Sequence, residues 1–219
     1  RDFGKLDEAE KLYRKAINIK SNYSDAYNNL ANILHDLFKL KEAEEILRKA
    51  IKIKPEDPIL YFNLGNVMTD LNKSKEAEIL LRKAIKLNPK FAESYFNLGK
   101  ILKVIGKDDE AKKLFMKAIK LYPNNSRFIA ELIDTLAFLS EWEKIINYSN
   151  KFKYIGLEDK SLTINPMNLM YLEDNPENHL KRAINYSKNK NKEELPKLFY
   201  QKKKEIHIGY FSADFRAHP

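Results

Sequence analysis

The chain has 219 residues, 43% hydrophobic and 32% charged, with a formal net charge of +9 at pH 7. It lacks cysteine, which excludes disulfides, thiolate catalysis and cysteine-based metal sites and is compatible with the cytoplasmic location that we expect. No apolar run approaches the roughly 18 residues of a membrane span. The lysines are interleaved with acidic residues rather than forming a stripe, so we expect neither a nucleic-acid nor a membrane partner.

Residues of the same type recur every 34 positions from the start of the chain. The recurring residues are Ala9, Ala43, Ala77 and Ala111; Ala16, Ala50, Ala84 and Ala118; Leu30, Leu64, Leu98 and Leu132; Tyr27, Tyr61 and Tyr95; and Pro55, Pro89 and Pro123. A fixed period of this length predicts a stacked array of helix-turn-helix units, each packed against its neighbours.

One unit shows how the period is built. Leu30 and Leu34 belong to an apolar set spaced by three and four residues, which predicts a first helix. The rhythm restarts with Ala43 and Ala50, whose small side chains let a second helix approach its neighbours closely. Pro55 then ends that helix, because it has no amide proton and clashes with the preceding turn.

These offsets resemble tetratricopeptide repeats over residues 1–152. The resemblance implies an all-α, right-handed superhelix (an α-α solenoid) with a partial first repeat, three full repeats and one degenerate repeat. The pattern weakens after Pro123, where the alanine places hold Ile145 and Phe152. We interpret this unit as a terminal one that packs against something other than another repeat.

Residues 153–205 lose the period, and we expect a helical connector there. Asn175-Pro176-Glu177 predicts a helix start, with proline at the first helical place and an acid beside the positive end of the helix. The polar residues 188–195 predict a loop.

Residues 206–219 change character again. Ile206 to Phe211 are mostly β-branched and aromatic and predict a buried strand. Residues 212–219 follow as a loop, and in open α/β folds such loops are well placed for chemistry. Because Arg1 falls near the twelfth place of a repeat and no partner strand follows, we expect an internal piece of a longer protein.

The segment Ile-Gly-Tyr-Phe-Ser-Ala-Asp-Phe-Arg-Ala-His-Pro (208–219) resembles the opening of the catalytic region in the O-linked N-acetylglucosamine transferase (SPINDLY-like) family. Residues 166–172 and 174–186 are similar to that family's connecting helices. The resemblance implies that residues 206–219 begin a glycosyltransferase B-type α/β domain. It also implies an enzyme that transfers a sugar from a nucleotide-sugar donor, such as UDP-N-acetylglucosamine, to Ser or Thr of proteins, without a metal or another cofactor. This piece alone is expected to be inactive.

The resemblance also implies a role for one histidine. His218 matches the family's loop histidine at the catalytic cleft, where a neutral imidazole could accept a proton from the acceptor hydroxyl or only position it. Asp214 matches as well, but an aspartate after a strand commonly caps a turn. His35, His179 and His207 are isolated, and for them we expect structural or surface roles rather than metal ligation.

Asn29, Asn63 and Asn97 recur at the same interval, two places after each recurring tyrosine. Stacking would align them along a concave groove, and a carboxamide offers both a donor and an acceptor to a peptide backbone. The resembled family holds acceptor protein with such a ladder, although asparagine is also a common filler at this place. The series breaks at Glu131.

Two functions remain open at this point. The first is a protein O-GlcNAc transferase-like enzyme whose repeats recruit protein or peptide substrates. The second is a non-catalytic adaptor that mediates protein-protein interaction through repeats alone. Adaptors for acidic chaperone tails need lysine or arginine where this chain has Asn28, Phe62 and Phe96, which argues against that subtype. Which sugar is transferred would depend on a donor pocket outside these residues.

Overall fold

The computed structural model describes residues 3–146, 157 and 175–190. Within these ranges the chain forms ten α-helices and no strand. Their bounds are α1 (Phe3–Ile19), α2 (Ser24–Asp36), α3 (Leu40–Ile53), α4 (Pro58–Asp70), α5 (Ser74–Leu87), α6 (Ala92–Val104), α7 (Asp108–Leu121), α8 (Ser126–Phe138), α9 (Trp142–Ile146) and α10 (Pro176–Lys190). The predicted strand at 206–211 and most of the predicted connector lie outside the described residues.

The helices stack in pairs. Each helix from α1 to α9 contacts the next one along the chain, and the first helices α2, α4, α6 and α8 also contact each other. The backbones of the second helices α1, α3, α5 and α7 do not approach one another as closely in the part of the chain that the structure describes. Because the first helices lie closer together, the stack curves towards them and their outer faces line its concave side.

The core follows the predicted period. Leu30, Leu34, Ala43 and Ala50 are all at most 1% exposed, and the equivalent residues of the next two units, which are the same types except for Met68, are as well buried. The same buried cluster continues without interruption from α2 into α8 and α9, where Ile145 is 1% exposed. The array is therefore one continuous core rather than a series of small domains.

The recurring tyrosines tie the first helices α2, α4 and α6 to the turns before them. The hydroxyl of Tyr27 donates to the carbonyl of Ser21 at 3.1 Å, and Tyr61 and Tyr95 donate to the carbonyls of Pro55 and Pro89 at 2.9 and 3.1 Å. This bond satisfies a carbonyl in each of these turns, and it sets the angle at which the next unit begins.

The closest approach within a unit occurs between a glycine on the first helix and a large side chain on the second. A Cβ added at Gly65 would lie 3.0 Å from Leu81 Cγ, and one added at Gly99 would lie 2.6 Å from Phe115 Cε1. One unit earlier, the same two places hold Ala31 and Leu47, both buried. The largest partner, Phe115, is thus faced by glycine, whereas leucine is faced by alanine in one unit and by glycine in the next.

A network of four charged residues links the second helices on the convex side, and it repeats with the 34-residue period. An arginine contacts a glutamate one turn earlier and another on the next second helix, and a lysine from the intervening turn contacts the first glutamate. The three sets are Glu10, Arg14, Lys39 and Glu42; Glu44, Arg48, Lys73 and Glu76; and Glu78, Arg82, Lys107 and Glu110.

The fourth set is inverted in charge. The glutamate place holds Lys112 and the lysine place holds Glu141, with Nζ and Oε1 2.8 Å apart. The hydrogen bond from Lys112 lowers the pKa of Glu141, just as the bond from Lys39 lowers the pKa of Glu10. Lys112 and Glu141 still attract each other, but their charges are exchanged relative to the other sets. If the units stacked in another order, the lysine on α7 would face a lysine from another turn, and the glutamate before α9 would face a glutamate on another second helix. Both contacts would be repulsive.

Helix α10 begins at Pro176 as the sequence predicts, and the backbone amide of Asn178 donates to Asn175 Oδ1 at 3.1 Å. It continues to Lys190, so the prediction of a loop from residue 188 is wrong for residues 188–190. Polar residues such as lysine and asparagine reduce burial but do not break a helix, and no proline follows before Pro196.

The tight glycine site predicts the effect of Gly99→Ala. Although alanine favours the helix by about 1 kcal/mol, the added methyl would overlap the buried Phe115 ring, and overpacking costs about 1–3 kcal/mol. We expect a net loss of about 1 kcal/mol in the free energy of unfolding, measured by urea denaturation. In a Phe115→Leu background the same change should be neutral or stabilising. An equal loss in both backgrounds would contradict the size-matching account.

The inverted ion pair predicts the outcome of a charge swap. Lys112→Glu should lower the unfolding temperature by roughly 2 °C, since it places a carboxylate beside Glu141 and Asp109. Adding Glu141→Lys should recover part of the loss, because it restores the polarity of the other three sets but leaves like charges beside Asp109 and Lys144. Thermal unfolding of the single and double variants measures this, and additive losses would show that the pair contributes nothing.

Candidate functional site

The concave face is formed by α2, α4, α6 and α8, and the three predicted asparagines lie on it. Asn29 on α2 is exposed, whereas Asn63 on α4 and Asn97 on α6 are half-buried. Their helices contact one another in turn. The bonds between helices join Asn63 and Asn97 to other asparagines rather than to each other or to Asn29, so an aligned series of these three stays a prediction.

The asparagines of neighbouring helices are hydrogen-bonded in pairs. Asn63 Nδ2 donates to Asn28 Oδ1 at 2.8 Å, and Asn97 Nδ2 donates to Asn66 Oδ1 at 2.7 Å. Each bond uses one donor and one acceptor of the pair. Each pair retains an oxygen on one carboxamide and an amino group on the other that the bond between them does not use. This set matches the acceptor and donor requirements of a peptide group.

The sequence prediction missed Asn28 and Asn66 as members of this site. Their bonded partners lie 35 and 31 residues along the chain rather than 34. A signal was present in the sequence, because Asn28 is adjacent to Asn29 and Asn66 is three residues after Asn63. The second spacing puts Asn66 on the same helix face as Asn63, whereas adjacent residues such as Asn28 and Asn29 do not face each other, so only Asn66 could have been found in this way.

At the next step, where Glu131 breaks the asparagine series, the pair is replaced by an ionic cluster. Lys103 Nζ lies 3.1 Å from Glu131 Oε2 and 2.8 Å from Asp134 Oδ2. Burial alone would lower the pKa of Lys103, but the hydrogen bond to Asp134 and the charge of Glu131 outweigh it and raise that pKa. The groove therefore ends on α8 in a charge cluster that is satisfied internally.

Aromatic rings fill the middle of the array beneath this face. Phe96 is 1% exposed and lies between Phe115 and Phe128, with ring centroids 5.7 and 4.9 Å away. The guanidinium of Arg127 lies 4.4 Å from the centroid of the Phe96 ring. Phe96 is thus a core residue, and it is not a contact residue of the groove.

The concave helices differ in charge from the rest of the chain. They carry six carboxylates and only three cations: Asp25, Asp36, Asp70, Glu93, Glu131 and Asp134 against Lys100, Lys103 and Arg127. All three cations lie on α6 and α8, where Lys103 and Arg127 pair with carboxylates. Helices α2 and α4 contain no lysine or arginine. The first half of the groove is therefore negative in a chain of net charge +9.

The other predicted site residue, His218, lies outside the described residues, as do Asp214 and His207. His35 on α2 and His179 on α10 are described, and both are half-buried. Among the described residues, no group of three or more potential ligands could hold a metal ion. The helices in the same ranges include none with the length and apolar character to span a bilayer.

The comparisons with known proteins identify the repeats. Residues 1–64 and 34–95 match one family of tetratricopeptide repeat, and residues 92–125 match a second. A search of curated protein sequences finds no match.

Solved structures with a similar fold are tetratricopeptide-type arrays. The structure of PilF from Pseudomonas aeruginosa is 24% identical, covers 84% of each chain and superimposes with a TM-score of 0.72. MamA is 23% identical over 68% of this chain and 86% of its own, with a TM-score of 0.62. YrrB, described as having an unusual peptide-binding site, is 19% identical over 81% and 91%, with a TM-score of 0.60. At these identities the likeness shows the fold alone.

Proposed function

Since residues 1–125 are tetratricopeptide repeats, we propose that this chain binds an extended segment of another protein along the concave face of α2, α4 and α6. The observation that carries the proposal is the pair of asparagine–asparagine bonds between neighbouring helices. A peptide-binding site in YrrB, a structure of the same fold, also supports it.

The spacing of the pairs fits an extended chain. Adjacent helices pack about 8–10 Å apart, and an extended peptide advances about 3.3 Å per residue. One asparagine pair therefore meets a peptide group about every third residue. Because the carboxamides bind the backbone, they would hold segments of many sequences. Side-chain selectivity must then come from other parts of the groove.

The asparagine pairs predict a loss of binding in a double variant. Asn63→Ala with Asn97→Ala should weaken capture of 12-residue peptides roughly tenfold, at about 0.7 kcal/mol for each of two lost hydrogen bonds. The loss should be similar for peptides of unrelated sequence. Fluorescence anisotropy measures the affinity, and urea denaturation checks that the array remains folded.

Asn18→Ala is the matched control for this variant. Asn18 is an exposed asparagine on α1, a second helix, so the same chemical change occurs away from the concave face. Its affinity should equal that of the unchanged chain. Unchanged affinity in the double variant would exclude backbone binding by the ladder.

We also propose an enzymatic role for the protein that carries this sequence, namely transfer of a sugar from a nucleotide-sugar donor to Ser or Thr. The support is the likeness of residues 208–219 to the opening of the O-GlcNAc transferase catalytic region. In this role the groove delivers the acceptor segment, and His218 accepts or positions the proton of the attacking hydroxyl. A repeat-only adaptor would use the same groove without this step.

This role predicts a mass change in acceptor peptides. The complete gene product, incubated with acceptor peptides and UDP-N-acetylglucosamine, UDP-glucose or GDP-fucose, should add one sugar mass from one of the donors. His218→Ala should abolish most of the transfer while donor binding by calorimetry persists, and His207→Ala should retain transfer. If no donor yields a product, the enzyme proposal fails while peptide capture by the groove stands on its own measurement.

A further inference from the structure

A pocket of about 400 Å³ opens at one edge of the groove, between the turn after α2 and the turn after α4. It is lined by His35, Phe38, Leu40, Thr69, Asp70 and Asn72. Asn28 and Asn66 of the asparagine pairs precede the lining residues His35 and Thr69 on the same helices by roughly 10 and 5 Å along the helix axis. The lining is apolar on one side and polar on the other.

The apolar side is dominated by an aromatic ring that the fold does not bury. Phe38 is 79% exposed and has a φ of 60°. The equivalent place in the next three units holds Asn72, Gly106 and Ser140, all at positive φ. A bulky aromatic residue is unfavourable in this left-handed conformation, and here it gains no burial in return. The ring is therefore open to contact with a bound partner.

The polar side is negative. Asp70 Oδ2 lies 2.5 Å from His35 Nε2 on the neighbouring helix. Asp36 and Asp70 are the last residues of α2 and α4, where the helix dipole adds negative potential. The nearest lysines turn away from the pocket, because Lys39 and Lys73 pair with glutamates of the preceding second helices at 2.8 and 2.9 Å.

We propose that this pocket binds an arginine side chain of the segment that occupies the groove, an inference that rests on the peptide-binding function above. The guanidinium would stack on the Phe38 ring and form charge-assisted hydrogen bonds to Asp70. Arginine fits better than lysine because its planar, weakly hydrated head can do both at once.

The same surroundings disfavour other side chains. A carboxylate would meet Asp70 and the negative ends of two helices. An apolar side chain would remove water from Asp70 and His35 without replacing its hydrogen bonds, which costs affinity. The preferred partner is thus an extended segment that carries an arginine.

The test uses the 219-residue chain and three fluorescent 12-residue peptides of Ser, Thr and Ala that differ only at one central position. That position holds arginine, citrulline or glutamate. Citrulline keeps the planar shape of arginine without its charge. We expect the arginine peptide to bind roughly tenfold more tightly than the citrulline peptide, with glutamate weakest. Asp70→Asn should reduce the arginine peptide to the citrulline level and leave citrulline unchanged.

Phe38→Gly separates lost contact from lost folding. It should weaken the arginine peptide several-fold while the unfolding temperature rises, because glycine accepts the positive φ without strain. Phe138→Ala is the matched control. Phe138 is the last residue of α8, its side chain is 73% exposed, and it does not line the pocket. It should preserve the preference for arginine.

The outcomes distinguish the two proposals. If all three peptides bind with equal affinity, and the double variant of Asn63→Ala with Asn97→Ala still weakens binding, the arginine pocket is overturned and backbone binding stands. If the Asp70→Asn variant still prefers the arginine peptide, the cation binds elsewhere, and this result also overturns the arginine pocket. If none of the peptides binds, the peptide-binding function itself fails.

Discussion

Each helix pair in this array completes the burial of its apolar side chains against the neighbouring pairs, and every other feature depends on that stacking. A single unit has too few apolar side chains to offset the entropy of ordering its backbone. Within a pair the two helices approach closely where a small residue faces a large one, as Gly99 on α6 faces the Phe115 ring on α7. The first helices lie close to one another, and the groove and its asparagine pairs result from that closeness.

The two sides of the stack carry different electrostatic patterns. On the convex side, arginine, lysine and glutamate are interleaved, and the ion pairs bridge from each second helix to the next. On the concave side, the first two helices carry carboxylates and carboxamides without a lysine or arginine. The net charge of +9 thus describes the chain as a whole and gives the wrong sign for the surface that we propose to meet a partner.

The last interface of the array differs from the earlier ones in both shape and charge. The glycine place of the first helix holds the buried Ile133, and the Lys112–Glu141 pair has the opposite polarity to its counterparts. Repeated units of similar sequence could otherwise pair out of order, since each offers nearly the same face. An inverted pair favours the correct neighbour and penalises the others by repulsion.

The sequence by itself determined the helices, their order, the buried positions and the place of Asn29, Asn63 and Asn97, because these follow from local periodicity and a 34-residue repeat. The 34-residue interval could not predict which asparagines bond to one another. Asn63 meets Asn28 and Asn97 meets Asn66, at 35 and 31 residues, since helix packing and side-chain reach choose the partner. The Lys103 cluster and the pocket beside Phe38 and Asp70 likewise exist only once neighbouring units are stacked. Such sites depend on the distance between helices, which no spacing along one chain specifies.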